Sequence, residues 1–211
     1  MLELDIYKKL SHFDLQVQLT TEQERIVLFG PSGSGKTTIL NCIAGIVHPD
    51  QGFIHLKNQC LFDSKQKGKK GKSGIPIQDR NVGYLFQDYA LFPHMTVKKN
   101  ISYGMKDQQL VETLIDVVGI KHLLEQYPGN ISGGEKQRVA LVRALATKPN
   151  ALLLDEPFSA LDEKTRIECQ DELLRIHEIW KIPILIVTHD WKEAKKLGQR
   201  ILKLDKGKFI R

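Results

Sequence analysis

Between Gly30 and Thr37 the chain reads GPSGSGKT, which fits the pattern G-x-x-x-x-G-K-[ST]. Residues of these types at this spacing hold phosphate. Gly30, Gly33 and Gly35 let the backbone turn its N–H groups inward around an anion, with Pro31, Ser32 and Ser34 forming the loop between them. A helix starting behind such a loop adds its partial positive charge. Lys36 can reach the terminal phosphates, the Thr37 hydroxyl can ligate Mg²⁺, and Thr38 brings a second hydroxyl beside them. The plain alternative is a glycine turn with a chance lysine, and the strand before and helix after argue against it.

Two acids and a histidine could act on a phosphate held there. Asp155 and Glu156 close the run ALLLDE, and His189 closes IPILIVTH. Asp155 suits a place around Mg²⁺, and Glu156 can orient or deprotonate an attacking water. Phosphoryl transfer asks for positioning and charge neutralisation more than for covalent chemistry. His189 can hydrogen-bond the terminal phosphate or the water. Alone, two acids after a strand read equally well as a helix start, and a lone histidine as a structural one. Beside the glycine loop all three read as an active centre.

Such a centre needs rigid elements to hold it. LELDIY and FDLQVQL alternate with period two, and the apolar run IVLF ends at Gly30. After Gly35, Ile39, Leu40 and Ile43 recur at helical spacing until His48-Pro49-Asp50. GFIHLKNQCLF alternates again. Helical patterns follow over Asp107 to His122, on Leu110, Leu114, Ile115 and Val118, and over Glu135 to about Thr147. ALLLDEP reads as a buried parallel strand, Glu163 to Trp180 as a long helix, IPILIVTH as another buried strand, and ILKLDKGKFI as a hairpin. Strands alternating with helices predict a parallel α/β sheet, with ligands at the C-terminal ends of its strands.

The 211 residues allow one large domain or two small ones, and an apolar share of 41% suffices for a real core. Lysine and arginine exceed acids by 31 − 25 = +6. Lys65, Lys67, Lys69, Lys70 and Lys72 supply five of those charges from one tract, KQKGKKGK, so the excess is a solvated loop and no nucleic-acid groove. The start MLELDIYKKL carries acids and no long apolar region, and no apolar run approaches the roughly 20 residues that span a bilayer. A chain soluble by itself and cytoplasmic is expected. Cys42, Cys60 and Cys169 are widely spaced, which argues against a disulfide framework or a zinc site.

At Ile131 to Arg138 the chain reads ISGGEKQR, which resembles the signature motif of ATP-binding cassette (ABC) ATPases, with Ile and Glu where Leu and Gln are common. The resemblance covers essentially the whole chain. It implies a P-loop NTPase with a parallel-sheet core, an antiparallel β edge and an inserted α-helical subdomain over about 88–147. It also implies one nucleotide-binding domain over 1–211, ending without a C-terminal regulatory domain. ATP and Mg²⁺ are the implied substrate and cofactor. Glu156, His189 and Lys36 match the catalytic positions. The loop through Thr38, Gln87 in GYLFQDYALFP and Asp155 match nucleotide contacts, with Thr37, Gln87 and Asp155 toward the metal.

Ser132, Gly133, Gly134 and Glu135, with Asp162 of the segment SALD, match residues that cap the ATP of a second copy in a head-to-tail dimer. Adenine usually stacks on an aromatic ring, for which Phe13 is preferred to Tyr7, a core role remaining open.

Within the family the chain is most similar to ATPases of molybdate importers, with those for sulfate, iron and polyamines as near relatives. Leu91 to Tyr103 would receive a membrane permease, a solute-binding protein would be engaged only indirectly, and the chain would sit peripherally on the inner face of the cell membrane. A soluble ABC protein acting on DNA or ribosomes is the rival from another class. Such proteins usually carry two cassettes or a long coiled coil, and neither pattern occurs here. The match to importer-type ISGGEKQR disfavours an exporter.

Overall fold

A computed structural model describes residues 1–65, 74–159 and 161–210. The first two strands, β1 (Leu2–Lys9) and β2 (Asp14–Thr21), pair antiparallel from Leu2↔Thr21 to Lys9↔Asp14. On its other edge β1 pairs with β4 (Gln51–Leu56), and β4 with β5 (Gln59–Asp63), which gives a four-stranded sheet of order β2-β1-β4-β5. The period-two pattern decides its orientation. Leu4, Ile6, Leu15, Val17 and Ile54 are buried on one face, while Asp5, Gln16 and Gln18 face outward.

The second sheet has the order β10-β9-β3-β8-β7-β6. Its strands are β3 (Arg25–Phe29), β6 (Val82–Leu85), β7 (Ala151–Asp155), β8 (Ile184–Thr188), β9 (Arg200–Asp205) and β10 (Lys208–Ile210). The five from β9 to β6 are parallel, and β10 returns antiparallel at the edge. Every residue of β7 and β8 is buried, which is why these strands are unbroken apolar runs.

Helix α1 (Lys36–Ala44) lies between the two sheets, and Ile39, Leu40 and Ile43 join one core with residues of both. A second core on the other face of the parallel sheet takes in α4 (Gly133–Ala146), α5 (Glu163–Trp180) and α6 (Trp191–Leu197). Between β6 and β7 the chain is helical, with α2 (Val97–Ser102), α3 (Gln108–Val117) and α4. The antiparallel strands expected at an edge form a sheet of their own, with only β10 at the edge of the parallel sheet.

Short β6, α2 and α6 were not anticipated, since four to seven residues show too little of either period. The lysine tract apart from Lys65 lies outside the described residues. Among the described residues, no helix is long and apolar enough to cross a membrane.

Candidate functional site

The phosphate loop joins β3 to α1 as its motif requires. Gly33 and Gly35 take φ values of 77° and 105°, a region that costs other residues strain. Gly30 is needed for a different reason: a Cβ there would come within 2.2 Å of the Leu204 carbonyl oxygen. Gly35 is the N-cap of α1 and no side chain caps that helix, so its first N–H groups are left for an anion. Lys36 is only 4% exposed, and its Nζ donates to the carbonyl oxygens of Gly30 and Pro31, both at 2.8 Å. Burial pushes the ammonium below its ordinary pKa, against the opposing pull of Glu156 and Asp155. Ser34 Oγ is buried with no hydrogen-bond partner among the described residues.

Thr37 Oγ1 donates to Asp155 Oδ1 at 3.1 Å, across from α1 to the end of β7. Burial holds the Asp155 carboxyl above the usual carboxylate range, with the Thr37 hydrogen bond opposing it. A buried carboxylate joined to a hydroxyl is a hard oxygen pair, and its chemistry fits a small divalent cation such as Mg²⁺. Gln87 is exposed on the turn after β6, the strand next to β7. It makes no side-chain hydrogen bond among the described residues and does not line the cleft described next.

Above the loop opens a cleft of about 430 Å³. Ser32, Lys36, Thr37, Thr38 and Glu156 border it, together with Leu10 to Phe13 of the turn between β1 and β2. Phe13 therefore stands where an adenine ring could stack. Tyr7 is engaged elsewhere, its hydroxyl donating to Asp14 Oδ2 at 2.9 Å. His12 borders the cleft along with Phe13, and its place in a turn without periodicity gave no signal of that.

Glu156 is the first residue beyond β7. Its φ of 44° is unusual for a residue with a side chain, and its N–H donates to the Val187 carbonyl at 3.0 Å. The register Asp155↔Val187 of β7 and β8 brings the ends of two distant segments side by side, so that Glu156 Oε1 lies 3.2 Å from His189 Nδ1. Behind this pair is a polar pocket of about 120 Å³ bordered by Ser159, Arg166 and Asp190.

The signature residues are elsewhere. Ser132 caps α4 and Glu135 completes a capping box, its Oε2 accepting from the Ser132 N–H at 2.7 Å and from Ser132 Oγ at 2.8 Å. Those bonds hold the Glu135 carboxyl below its ordinary pKa. Gly133 follows, half-buried, in the first turn. Gly134 is buried against α5, where a Cβ would meet Thr165 Cγ2 at 2.2 Å. Asp162 caps α5, accepting from the Thr165 N–H at 3.1 Å. None of these five lines the cleft. The chain thus joins Thr37 to Asp155 and Glu156 to His189, with Lys36, Thr37 and Glu156 on one cleft that Ser132 to Glu135 and Asp162 do not border.

Known proteins similar to this chain fall in one group. The ABC transporter family matches residues 13–159. The molybdenum import ATP-binding protein ModC of Haemophilus influenzae is 42% identical over 210 residues, covering 98% of this chain and 58% of the relative. A sulfate/thiosulfate import ATP-binding protein of Shewanella oneidensis is 42% identical over 213 residues, covering 95% of this chain and 53% of that one. The chain thus spans somewhat over half the length of the curated relatives it matches.

Among solved structures, a dimeric ATP-binding cassette bound to ADP and Pi in a post-hydrolysis state superposes with a TM-score of 0.80 at 27% identity, covering 100% of this chain and 97% of that one. A component of the cbiONQ ABC transporter complex of Clostridium perfringens superposes with a TM-score of 0.84 at 27% identity, covering 100% and 86%. A phosphate loop and Glu156 on one cleft, with a family match from Phe13 to Ser159, lead to one conclusion: the chain belongs to the ABC transporter family of ATP-binding cassettes.

Proposed function

We propose that this chain binds and hydrolyses ATP to power an ABC importer, with molybdate or a related oxyanion as the solute. The observation that carries the reading is the 3.2 Å approach of His189 to Glu156 at the rim of a cleft floored by the phosphate loop. In this reading the N–H groups from Gly30 to Thr38 take the phosphates, and Lys36 exchanges the carbonyls of Gly30 and Pro31 for phosphate oxygens. The Ser34 hydroxyl faces the same loop. Phe13 stacks on adenine.

Thr37, Asp155 and Gln87 would hold Mg²⁺, which when bound supplies charge that neutralises the phosphates. Glu156 orients the attacking water and takes its proton on the carboxylate. His189 steadies that carboxylate and reaches for the terminal phosphate.

Ser132 to Glu135 and Asp162 have no place in the cleft of their own chain, and this supports their use on the ATP of a second copy, as in a head-to-tail dimer. The dimeric post-hydrolysis cassette among the structural neighbours supports the same reading. A partly apolar groove of about 400 Å³, bordered by Phe86, Phe92, Tyr103 and Arg143, is our candidate for the surface that receives the permease. A solute-binding protein would be engaged only through that permease, and the chain would work peripherally at the inner face of the membrane. Sulfate is the second reading for the solute, favoured by a sulfate/thiosulfate relative at the same 42% identity.

Glu156→Gln tests the chemistry. ATP binding should persist while hydrolysis slows by about 10²–10⁴, the range for losing a general base. Unchanged turnover removes Glu156 from the mechanism. Sedimentation of that variant with and without Mg-ATP tests the shared site. A doubling of mass is expected, and no shift counts against a dimer.

A further inference from the structure

The turn that carries Gln87 is bent in a way its own residues do not favour. Tyr89 and Ala90 both sit in the left-handed region, at φ 61° and 45°, although neither is glycine. Such residues persist only where their surroundings over-determine them. Part of the restraint comes from the turn itself, where the Tyr89 N–H donates to the Phe86 carbonyl at 2.9 Å and the Tyr89 ring is buried.

The rest comes from the far end of the signature helix. Arg143, in the last turn of α4, donates through Nη2 to the Tyr89 carbonyl at 2.9 Å and through Nη1 to the Ala90 carbonyl at 2.8 Å. Its guanidinium also lies 5.4 Å from the centre of the Phe92 ring. Asn100 of α2, fully buried, extends the clamp. Its Oδ1 accepts from the Phe92 N–H at 2.8 Å, and its Nδ2 donates to the Phe92 and Met95 carbonyls at 3.1 Å. The planar fork of an arginine is what two adjacent carbonyls require, and a single ammonium cannot span both in the same way.

We infer that Arg143 is a positioning residue for Gln87: its guanidinium fastens the Gln87 turn to the helix whose other end carries Ser132 to Glu135, so that the turn and the signature move as one body. The inference rests on the proposed role of Gln87 as a Mg²⁺ contact. Residues that orient a metal contact typically change metal affinity by 10-fold or more when removed. Arg143→Met keeps the apolar stem over Phe92 and removes the fork.

In the full chain, this variant should raise the KM for Mg²⁺ at saturating ATP about 10-fold. Its ATP binding in EDTA should stay at the wild-type level. Arg143→Lys should fall between, and adding Gln87→Ala to Arg143→Met should cost little more than Gln87→Ala alone. Hydrogen exchange of the metal-free chain supplies a readout apart from turnover: amides from Phe86 to Phe92 should exchange faster while those of β7 do not.

A wild-type KM for Mg²⁺ in Arg143→Met, with a raised one in Gln87→Ala, overturns the positioning role. A fall in melting temperature with no change in that KM makes the fork merely structural and overturns it too. If Gln87→Ala leaves the KM unchanged, the assignment of Gln87 falls and takes the role of Arg143 with it.

Discussion

The phosphate loop and the signature turn are both glycine-containing entries into a helix, yet they are finished in opposite ways. At α1 the N-cap is Gly35 and no side chain caps the helix. The Lys36 ammonium rests on the carbonyls of its own loop, and Ser34 Oγ has no partner among the described residues. At α4, Ser132 and Glu135 satisfy each other in a complete capping box on the exposed surface. The first entry presents helix N–H groups that no side chain caps, a suitable place for an anion. The second is a finished helix start, its cap satisfied within the chain. This is the difference expected if one chain carries two unlike half-sites, a binding half that is prepared in advance and a capping half that closes on a partner.

The comparison can be broken by substitution. The largest effect should come from Lys36→Met, which removes the buried cation of the cleft. ATP binding to the isolated chain should weaken by about 2–5 kcal/mol, roughly 30-fold or more, read by titration with a fluorescent nucleotide. Ser132→Ala should leave that binding near wild type, and an equal loss in both variants would put the signature in the same site as the loop.

Next comes Gly134→Ala, whose methyl would collide with Thr165 Cγ2, at a cost of about 1–3 kcal/mol in urea unfolding. Thr165→Ser removes the obstructing methyl and should restore most of the loss. If it does not, the close approach of α4 to α5 is not what Gly134 serves. Ser132→Ala should itself cost about 1 kcal/mol, the usual worth of an N-cap, seen as a lower urea midpoint.

A pH-dependent effect concerns a half-buried carboxyl on α5, the helix packed against α4. Burial pushes Glu172 of α5 from an ordinary 4.5 up to about 7, with Arg138 of α4 and Arg175 opposing it. A raised carboxyl pKa means that the folded chain holds the proton more tightly than the unfolded one. The stability from this group is complete below about 4.5 and is lost as pH rises through about 7. Glu172→Gln should flatten that decline, measured as urea midpoints of both proteins on either side of the window. An unchanged difference between them would mean that Glu172 titrates alike in both states.

Much of the candidate site was legible in the chain because its parts are local. The loop from Gly30 to Thr37 announces itself through types and spacing, and ALLLDE and IPILIVTH announce buried strands with polar ends, since a strand covered on both faces has no polar side to show. Helices α1 and α5 were equally clear, each having an apolar stripe of several turns. Strand β6 and helices α2 and α6 were not, because four to seven residues carry too few repeats of either period. His12 was missed for a related reason: it sits in a turn, where only the fold decides which way a ring faces.

By itself, then, the sequence determined the chemistry this protein holds in readiness, because phosphate recognition by glycines, a lysine and a threonine depends on neighbours in the chain. The tertiary structure alone decided how residues far apart in the chain meet. The register of β7 with β8 brings Glu156 to His189, the fork of Arg143 ties α4 to the Gln87 turn, and Gly134 lets α4 approach Thr165. The physical reason is that such contacts are set by strand order and helix packing, which depend on how whole faces bury one another and leave no mark at any single position.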